Sequence, residues 1–178
     1  MAIIQTSELP DGSEICADLC IVGAGAAGIT LAMEFAESGT RVCLLESGGY
    51  DPDQQTQALY DLECVGYPMR KDFISRARQF GGSCNLWAGR NMRMSRLDFE
   101  KRDWIPNSGW PLDYRELESY YDRAESILRV PAHARFASVG TIRGIDGSER
   151  RLFEADDVMP AVALWGTRPM RFAKINRA

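Results

Sequence analysis

The sequence predicts an α/β fold that opens with a β-α-β unit and a parallel sheet. An apolar run, ADLCIV, leads into a glycine-rich turn, GAGAAG, and a second apolar run, TRVCLL, follows a helix-like segment. Short continuous apolar runs are typical of strands that are buried in parallel sheets. The whole pattern spans about 30 residues, the usual length of a mononucleotide-binding half.

The helix of this unit is expected to follow the turn directly, within AAGITLAMEFAESG. Ala27, Leu31, Ala32 and Phe35 can share one face of such a helix. Gly39 is expected to end it, because glycine accepts the left-handed conformation that often follows a helix.

The turn contains Gly23, Gly25 and Gly28 in the pattern G-x-G-x-x-G. Gly23 permits the tight turn, Gly25 lets a pyrophosphate approach the backbone, and Gly28 allows close packing of helix on strand. The helix N-terminus, at Ala26 and Ala27, then presents free N–H groups and a positive dipole end to the anion. These features predict a Rossmann-like dinucleotide site.

Glu46 ends the second strand and lies eighteen positions (46 − 28) after Gly28. This is close to the separation of about 20 residues at which an acidic side chain accepts hydrogen bonds from the adenosine ribose. A carboxylate there repels a 2′-phosphate, which disfavours NADP. The residues by themselves leave both NAD and FAD open.

Bulk properties exclude several other classes. The net charge of −4 argues against general binding to nucleic acid or to membrane surfaces. The five cysteines match no zinc or redox spacing, and Cys20 and Cys43 fall in the apolar runs, where cysteine acts as a small hydrophobe. His133 is the sole histidine, so a histidine-based metal site is not expected. A reducing, cytoplasmic location is the simplest expectation.

Two later segments carry recognisable patterns. A second glycine run, RQFGGSCNLWAG, lies in a stretch without clear periodicity and is predicted to be a long functional loop. A helix is predicted within PLDYRELESYYDRAESILRV, where Asp113 and Glu116 match a capping box. Its apolar stripe comprises Leu117, Tyr120, Tyr121, Ala124, Ile127 and Leu128.

Four segments together resemble the N-terminal part of the glucose–methanol–choline (GMC) flavin oxidoreductases. They are CIVGAGAAG, LLESGG, RQFGGSCNLWAG and GWPLDYRELESYYDRAE, in that order, and they cover most of residues 18–125. The third segment contains a tryptophan, and in this it resembles the loop of the GMC members that oxidise sugars and other polyols. The resemblance implies FAD, with a sugar or alcohol as substrate.

The resemblance also implies which residues contact the flavin cofactor. Arg78 is the best placed of seven basic residues between positions 70 and 96 to pair with the pyrophosphate. Leu86 stands where some relatives carry a flavin-linking histidine, so FAD is expected to be held non-covalently. The full predicted cofactor site comprises Gly23, Gly25, Ala26, Ala27, Gly28, Glu46, Ser47, Arg78, Gly81, Gly82, Ser83, Asn85, Leu86, Trp87 and Ala88.

The catalytic base is not found in this sequence. GMC enzymes carry a histidine, with a histidine or asparagine partner, near their far C-terminus, and His133 matches no such position. Residues 1–130 are predicted to form the N-terminal part of an FAD-binding domain, and 131–178 the truncated start of a substrate domain. The chain is therefore expected to be inactive alone, as a fragment, a truncated product or one part of a split enzyme completed by a C-terminal chain.

Two alternatives stay open at this point. One is an NAD-dependent Rossmann oxidoreductase, with Glu46 on the nicotinamide cofactor's ribose, which leaves the second glycine run without a role. The other is a non-catalytic nucleotide-binding module, which the absent base favours.

Overall fold

We analysed a computed structural model of the chain, which describes residues 3–67, 76–131, 141–143, 146, 148–151 and 163–166. Contacts divide the chain into two compact units. The first includes all residues up to Leu86, and the second begins at Trp87. The domain boundary predicted after residue 130 adjoins positions outside the described residues and stays a prediction.

The first unit is built on the predicted β-α-β pattern. Strand β1 (Leu19–Val22) is followed by helix α1 (Ala26–Glu34) and strand β2 (Val42–Leu45). The two strands pair in parallel, in a register that runs from Leu19 opposite Val42 to Val22 opposite Leu45. The predicted unit and its parallel pairing are thus confirmed.

Helix α1 packs closely on the strand that precedes it. An added Cβ on Gly28 would overlap the carbonyl oxygen of Gly23 and touch Ile21, so the first turn of the helix has no room for a side chain there. Ile29 is buried at 3% exposure, whereas Leu31, one of the residues that can share a face, is 46% exposed. The helix also ends before the expected stop at Gly39.

Two further contacts hold the first unit together. At the start of the sheet, Arg41 forms a two-point ion pair with Asp18, and this hydrogen bonding lowers the pKa of the Asp18 carboxyl to about 2. Helix α2 (Gln54–Ala58) begins at Asp53, whose side chain accepts a hydrogen bond from Thr56.

The side chain of Gln57 connects α2 to the second glycine segment. Its amide nitrogen donates to the carbonyl of Arg76 at 3.0 Å, and its amide oxygen accepts from the backbone N–H of Arg78 at 2.9 Å. One side chain therefore satisfies the backbone of an extended segment as a neighbouring strand would.

The second unit contains one longer helix and several short elements. Helices α3 (Arg96–Phe99) and α4 (Tyr114–Ile127) precede most of its strands, and α4 has the predicted capping box between Asp113 and Glu116. Strand β3 (Arg90–Asn91) pairs antiparallel with β6 (Leu164–Trp165), and β4 (Thr141–Arg143) pairs antiparallel with β5 (Glu149–Arg151). None of the helices in the described part of the chain has the length and apolarity needed to cross a membrane.

Helix α4 buries a charged side chain next to its predicted apolar stripe. Tyr120 is 59% exposed, while Glu125 is 5% exposed and pairs with Arg93. Arg93 also reaches Asp122 and lies over the ring of Tyr121, and its hydrogen bond with Glu125 raises the pKa of the guanidinium. The ion pair explains how Glu125 can be buried, since a paired and hydrogen-bonded carboxylate tolerates burial.

We predict that Gly28→Ala destabilises the chain by about 1–3 kcal/mol, the usual cost of forcing extra atoms into a packed site. The new methyl group would meet the carbonyl oxygen of Gly23. Gly49→Ala is the matched control, because the nearest atom to its new Cβ, the carbonyl oxygen of Asp51, is 3.9 Å away. Urea unfolding checks both variants, and equal stability of the two would contradict the packing role of Gly28.

Candidate nucleotide-binding site

The first glycine turn leaves β1 through a conformation that requires glycine. Gly23 has φ +96° and donates its N–H to the carbonyl of Leu45 at 2.7 Å. This bond ties the start of the turn to the end of β2. A residue with a Cβ rarely adopts this φ, so Gly23 sets the direction in which the chain enters α1.

The N-terminus of α1 is open towards the turn. Gly25 is the N-cap, and no side chain caps the helix. A Cβ built on Gly25 meets nothing within 4 Å, although its φ of −78° would suit any residue. The space beside Gly25 and the uncapped N–H groups at Ala26 and Ala27 therefore fit a bound anion such as a pyrophosphate.

Glu46 braces the turn from the end of β2. Its Oε2 accepts the N–H of Ala24 at 2.8 Å, and its Oε1 accepts the N–H groups of Ser47 at 2.8 Å and Gly48 at 2.9 Å. Ser47 also donates its hydroxyl to the same Oε1. Because an ionised carboxylate offers about four acceptor positions, Oε2 keeps capacity for a ribose hydroxyl.

The second glycine segment packs directly against the first. The N–H of Gly81 donates to the carbonyl of Ala24 at 2.7 Å, and a Cβ on Gly82 would lie 3.3 Å from the Cα of Gly25. Gly81 and Gly82 have φ +89° and +58°, so both adopt the left-handed region that favours glycine. The two glycine segments, which lie far apart in the sequence, form one backbone surface.

Gly48 is a site residue that sequence analysis missed. A Cβ at this position would overlap the carbonyl of Arg78 and lie 2.6 Å from the Cα of Gln79. The next residue, Gly49, accepts the N–H of Phe80 at 2.9 Å. The glycine pair after Glu46 was the available signal, since adjacent glycines often mark a close approach of backbones.

The polar side chains of the second glycine segment form hydrogen bonds within that segment or with the residue just before it. Ser83 accepts the N–H of Ala77 through its hydroxyl at 3.2 Å, and Asn85, 5% exposed, donates its side-chain N–H to the carbonyl of Phe80 at 2.8 Å. Leu86 follows the 3₁₀ turn Gly82–Asn85 and donates its N–H to Ser83. These residues hold the shape of the backbone that Gly81 and Gly82 present.

Arg78 lies beside an aromatic ring. Its guanidinium is 5.2 Å from the ring centre of Tyr60, and that of Arg76 is at the same distance. The predicted pairing of Arg78 with a pyrophosphate stays a prediction. Trp87 and Ala88 belong to the second unit, and their predicted contact with the flavin also stays a prediction.

Comparison with known proteins identifies the nucleotide. A family model described as an FAD binding domain matches residues 18–53, which include the first glycine turn and Glu46. The cofactor is FAD. This finding decides between the two dinucleotides that the glycine pattern left open, while the contact of the first glycine turn with the FAD pyrophosphate stays a prediction.

Two curated relatives are similar over most of the chain. An oxygen-dependent choline dehydrogenase from Photobacterium profundum is 29% identical over 157 residues, which is 78% of this chain and 27% of the relative. A 2-methyl-1,2-propanediol dehydrogenase from Mycolicibacterium austroafricanum is 24% identical over 150 residues, or 72% of this chain and 27% of the relative. The chain thus spans about a quarter of the length of these relatives.

We predict that Gly25→Val weakens FAD binding at least tenfold, or about 1.4 kcal/mol, while the fold is retained. The valine side chain would fill the open space that the pyrophosphate needs but would meet no protein atom within reach of its Cβ. Quenching of flavin fluorescence in titrations of the apoprotein gives the affinity, and circular dichroism reports the fold. Ala36→Val, which adds a branched side chain at an exposed position after α1, should bind normally.

Proposed function

We propose that this chain is the N-terminal FAD-binding portion of a GMC-type oxidoreductase that oxidises CH–OH groups of sugars or other alcohols. The observation that carries the proposal is the contact between the two glycine segments, at Ala24–Gly81 and Gly25–Gly82. It gives the second segment a role beside the cofactor turn that a simple nucleotide-binding unit does not need. The names of both relatives, as dehydrogenases of an alcohol and of a diol, support the substrate class.

In this proposal, different residues of the first unit contact different parts of FAD. The N–H groups at the start of α1 bind the pyrophosphate, and Gly25 leaves room for it. Glu46 accepts a hydroxyl of the adenosine ribose while it holds the N–H of Ala24. Gly81 and Gly82 let the second backbone segment approach the cofactor without side chains in the way.

FAD, when held at this site, would supply the hydride acceptor for the oxidation of the alcohol carbon. The reaction also needs a base near neutral pKa to accept the hydroxyl proton, usually a histidine. His133 lies outside the described residues, and the resemblance gives it no catalytic position. We therefore propose that a C-terminal polypeptide, in the same or a separate chain, supplies the base and completes the substrate domain that is predicted to start at residue 131.

We expect FAD to be held non-covalently. Leu86 stands at the position from which a histidine would tether the flavin, and its side chain has no nucleophilic atom. Acid precipitation of the holoprotein should leave all flavin in the supernatant. Flavin that stays with the pellet would contradict this expectation and would show that another residue, such as Cys84, forms a bond.

The proposed activity is tested by anaerobic reduction of the bound flavin. We expect sugars and small polyols to leave the flavin of the isolated holoprotein oxidised, because no residue of this sequence matches the catalytic histidine that the resemblance implies. Co-expression with the polypeptide encoded immediately downstream should restore reduction. Dithionite is the control that shows the flavin to be redox-competent. Reduction by NADH but by no alcohol, with or without the second polypeptide, would overturn the proposed substrate class.

A further inference from the structure

Cys20 and Cys43 lie side by side on the sheet face that α1 does not cover. They are directly opposite each other in the parallel register of β1 and β2. Paired residues of a parallel sheet point to the same face, and Ile21, between Cys20 and Val22, is the residue buried towards α1. The two thiols therefore share one face. Both are free cysteines.

This face forms the floor of a cavity. Its volume is about 500 Å³, and Cys20, Cys43 and Leu45 line it together with the N-terminal segment around Leu9 and Ile15. Cys20 is exposed and Cys43 half-buried, so a small ligand can reach both sulfurs. All of these residues belong to the first unit.

The strand spacing disfavours a disulfide. Neighbouring strands lie about 4.7–4.9 Å apart, so the parallel Cβ atoms of Cys20 and Cys43 are separated by about that distance. A disulfide needs Cβ atoms about 3.5–4.5 Å apart and Cβ vectors that converge. Direct bonding of the two sulfurs would require the strands to move, against the hydrogen bonds that pair them.

A single metal ion can bridge the sulfurs of Cys20 and Cys43 without the strand movement that a disulfide would require. A metal–sulfur bond is about 2.3 Å long, so two such bonds in line span about 4.6 Å. We propose that Cys20 and Cys43 form a two-thiolate site for a single soft, thiophilic metal ion, for which Cu(I) is the matching probe. The site is separate from the FAD turn and does not depend on the proposed function.

The number of available ligands favours Cu(I) over zinc. No group of three or more His, Cys, Asp or Glu side chains in the described ranges could hold a metal. Structural zinc needs four such ligands, whereas Cu(I) prefers thiolates and accepts two in a linear arrangement. On binding, each thiol releases its proton to solvent and forms one copper–sulfur bond. Copper stays Cu(I), and no electron is transferred.

The test is an anaerobic Cu(I) titration of the whole chain against a chromophoric Cu(I) chelator. We expect one tight equivalent in the unaltered protein. Cys20→Ser and Cys43→Ser should each weaken it by about a hundredfold or more, because loss of a direct ligand exceeds the 10–100-fold cost of losing an outer-sphere partner. Cys64→Ser, which removes another half-buried cysteine of the first unit, is the matched control and should bind normally.

A second measurement covers variants that fail to fold. X-ray absorption of the unaltered copper-loaded protein should show two sulfur neighbours around each Cu(I). Three or more neighbours, unchanged affinity in either serine variant, or a Cys20–Cys43 disulfide formed readily in air would each overturn the proposal. Normal FAD binding in the copper-free serine variants would show that a loss of copper is independent of the cofactor site.

Discussion

The backbone N–H and the backbone carbonyl of Ala24 both form hydrogen bonds with segments that are distant in the sequence. The N–H of Ala24 donates to Glu46 at the end of β2, and its carbonyl accepts from Gly81 in the second glycine segment. Ala24 itself is 0% exposed. These two bonds set the position of the cofactor turn against both of its neighbours, and a buried backbone group without its partner would cost about 1–3 kcal/mol.

This constraint makes Glu46 a structural residue of the turn. Its carboxylate accepts the backbone N–H groups of Ala24 and Ser47, and its hydrogen bond with a ribose hydroxyl stays a prediction. A group that holds the site before the ligand arrives reduces the ordering cost of binding. Under the proposed function, Glu46 would therefore link ribose recognition to the shape of the glycine turn.

Sequence patterns predicted the β-α-β unit, the roles of Gly23 and Gly28, and the capping box at Asp113, because these depend on local spacing and backbone conformation. The burial of Ile29 in α1 was not predicted, because the spacing of apolar residues alone does not show which side of a short helix is covered. Long-range partners account for what the local patterns left out. Burial of Glu125 could not be foreseen because its partner Arg93 is 32 positions away along the chain. The packing of Gly48 on the Arg78 backbone depends on a tertiary contact of the same kind.

The Gln57 amide contacts have a consequence for how the chain can vary in length. They close a loop of 19 positions between Gln57 and Arg76 with a donor and an acceptor on one side chain. The entropy of closing a flexible loop grows only slowly, by about 0.6 kcal/mol for each doubling of its length. Insertions between α2 and the second glycine segment would therefore leave the position of that segment nearly unchanged, as long as Gln57 is kept. A glutamate there would lose the donor to Arg76 and, with it, this tolerance.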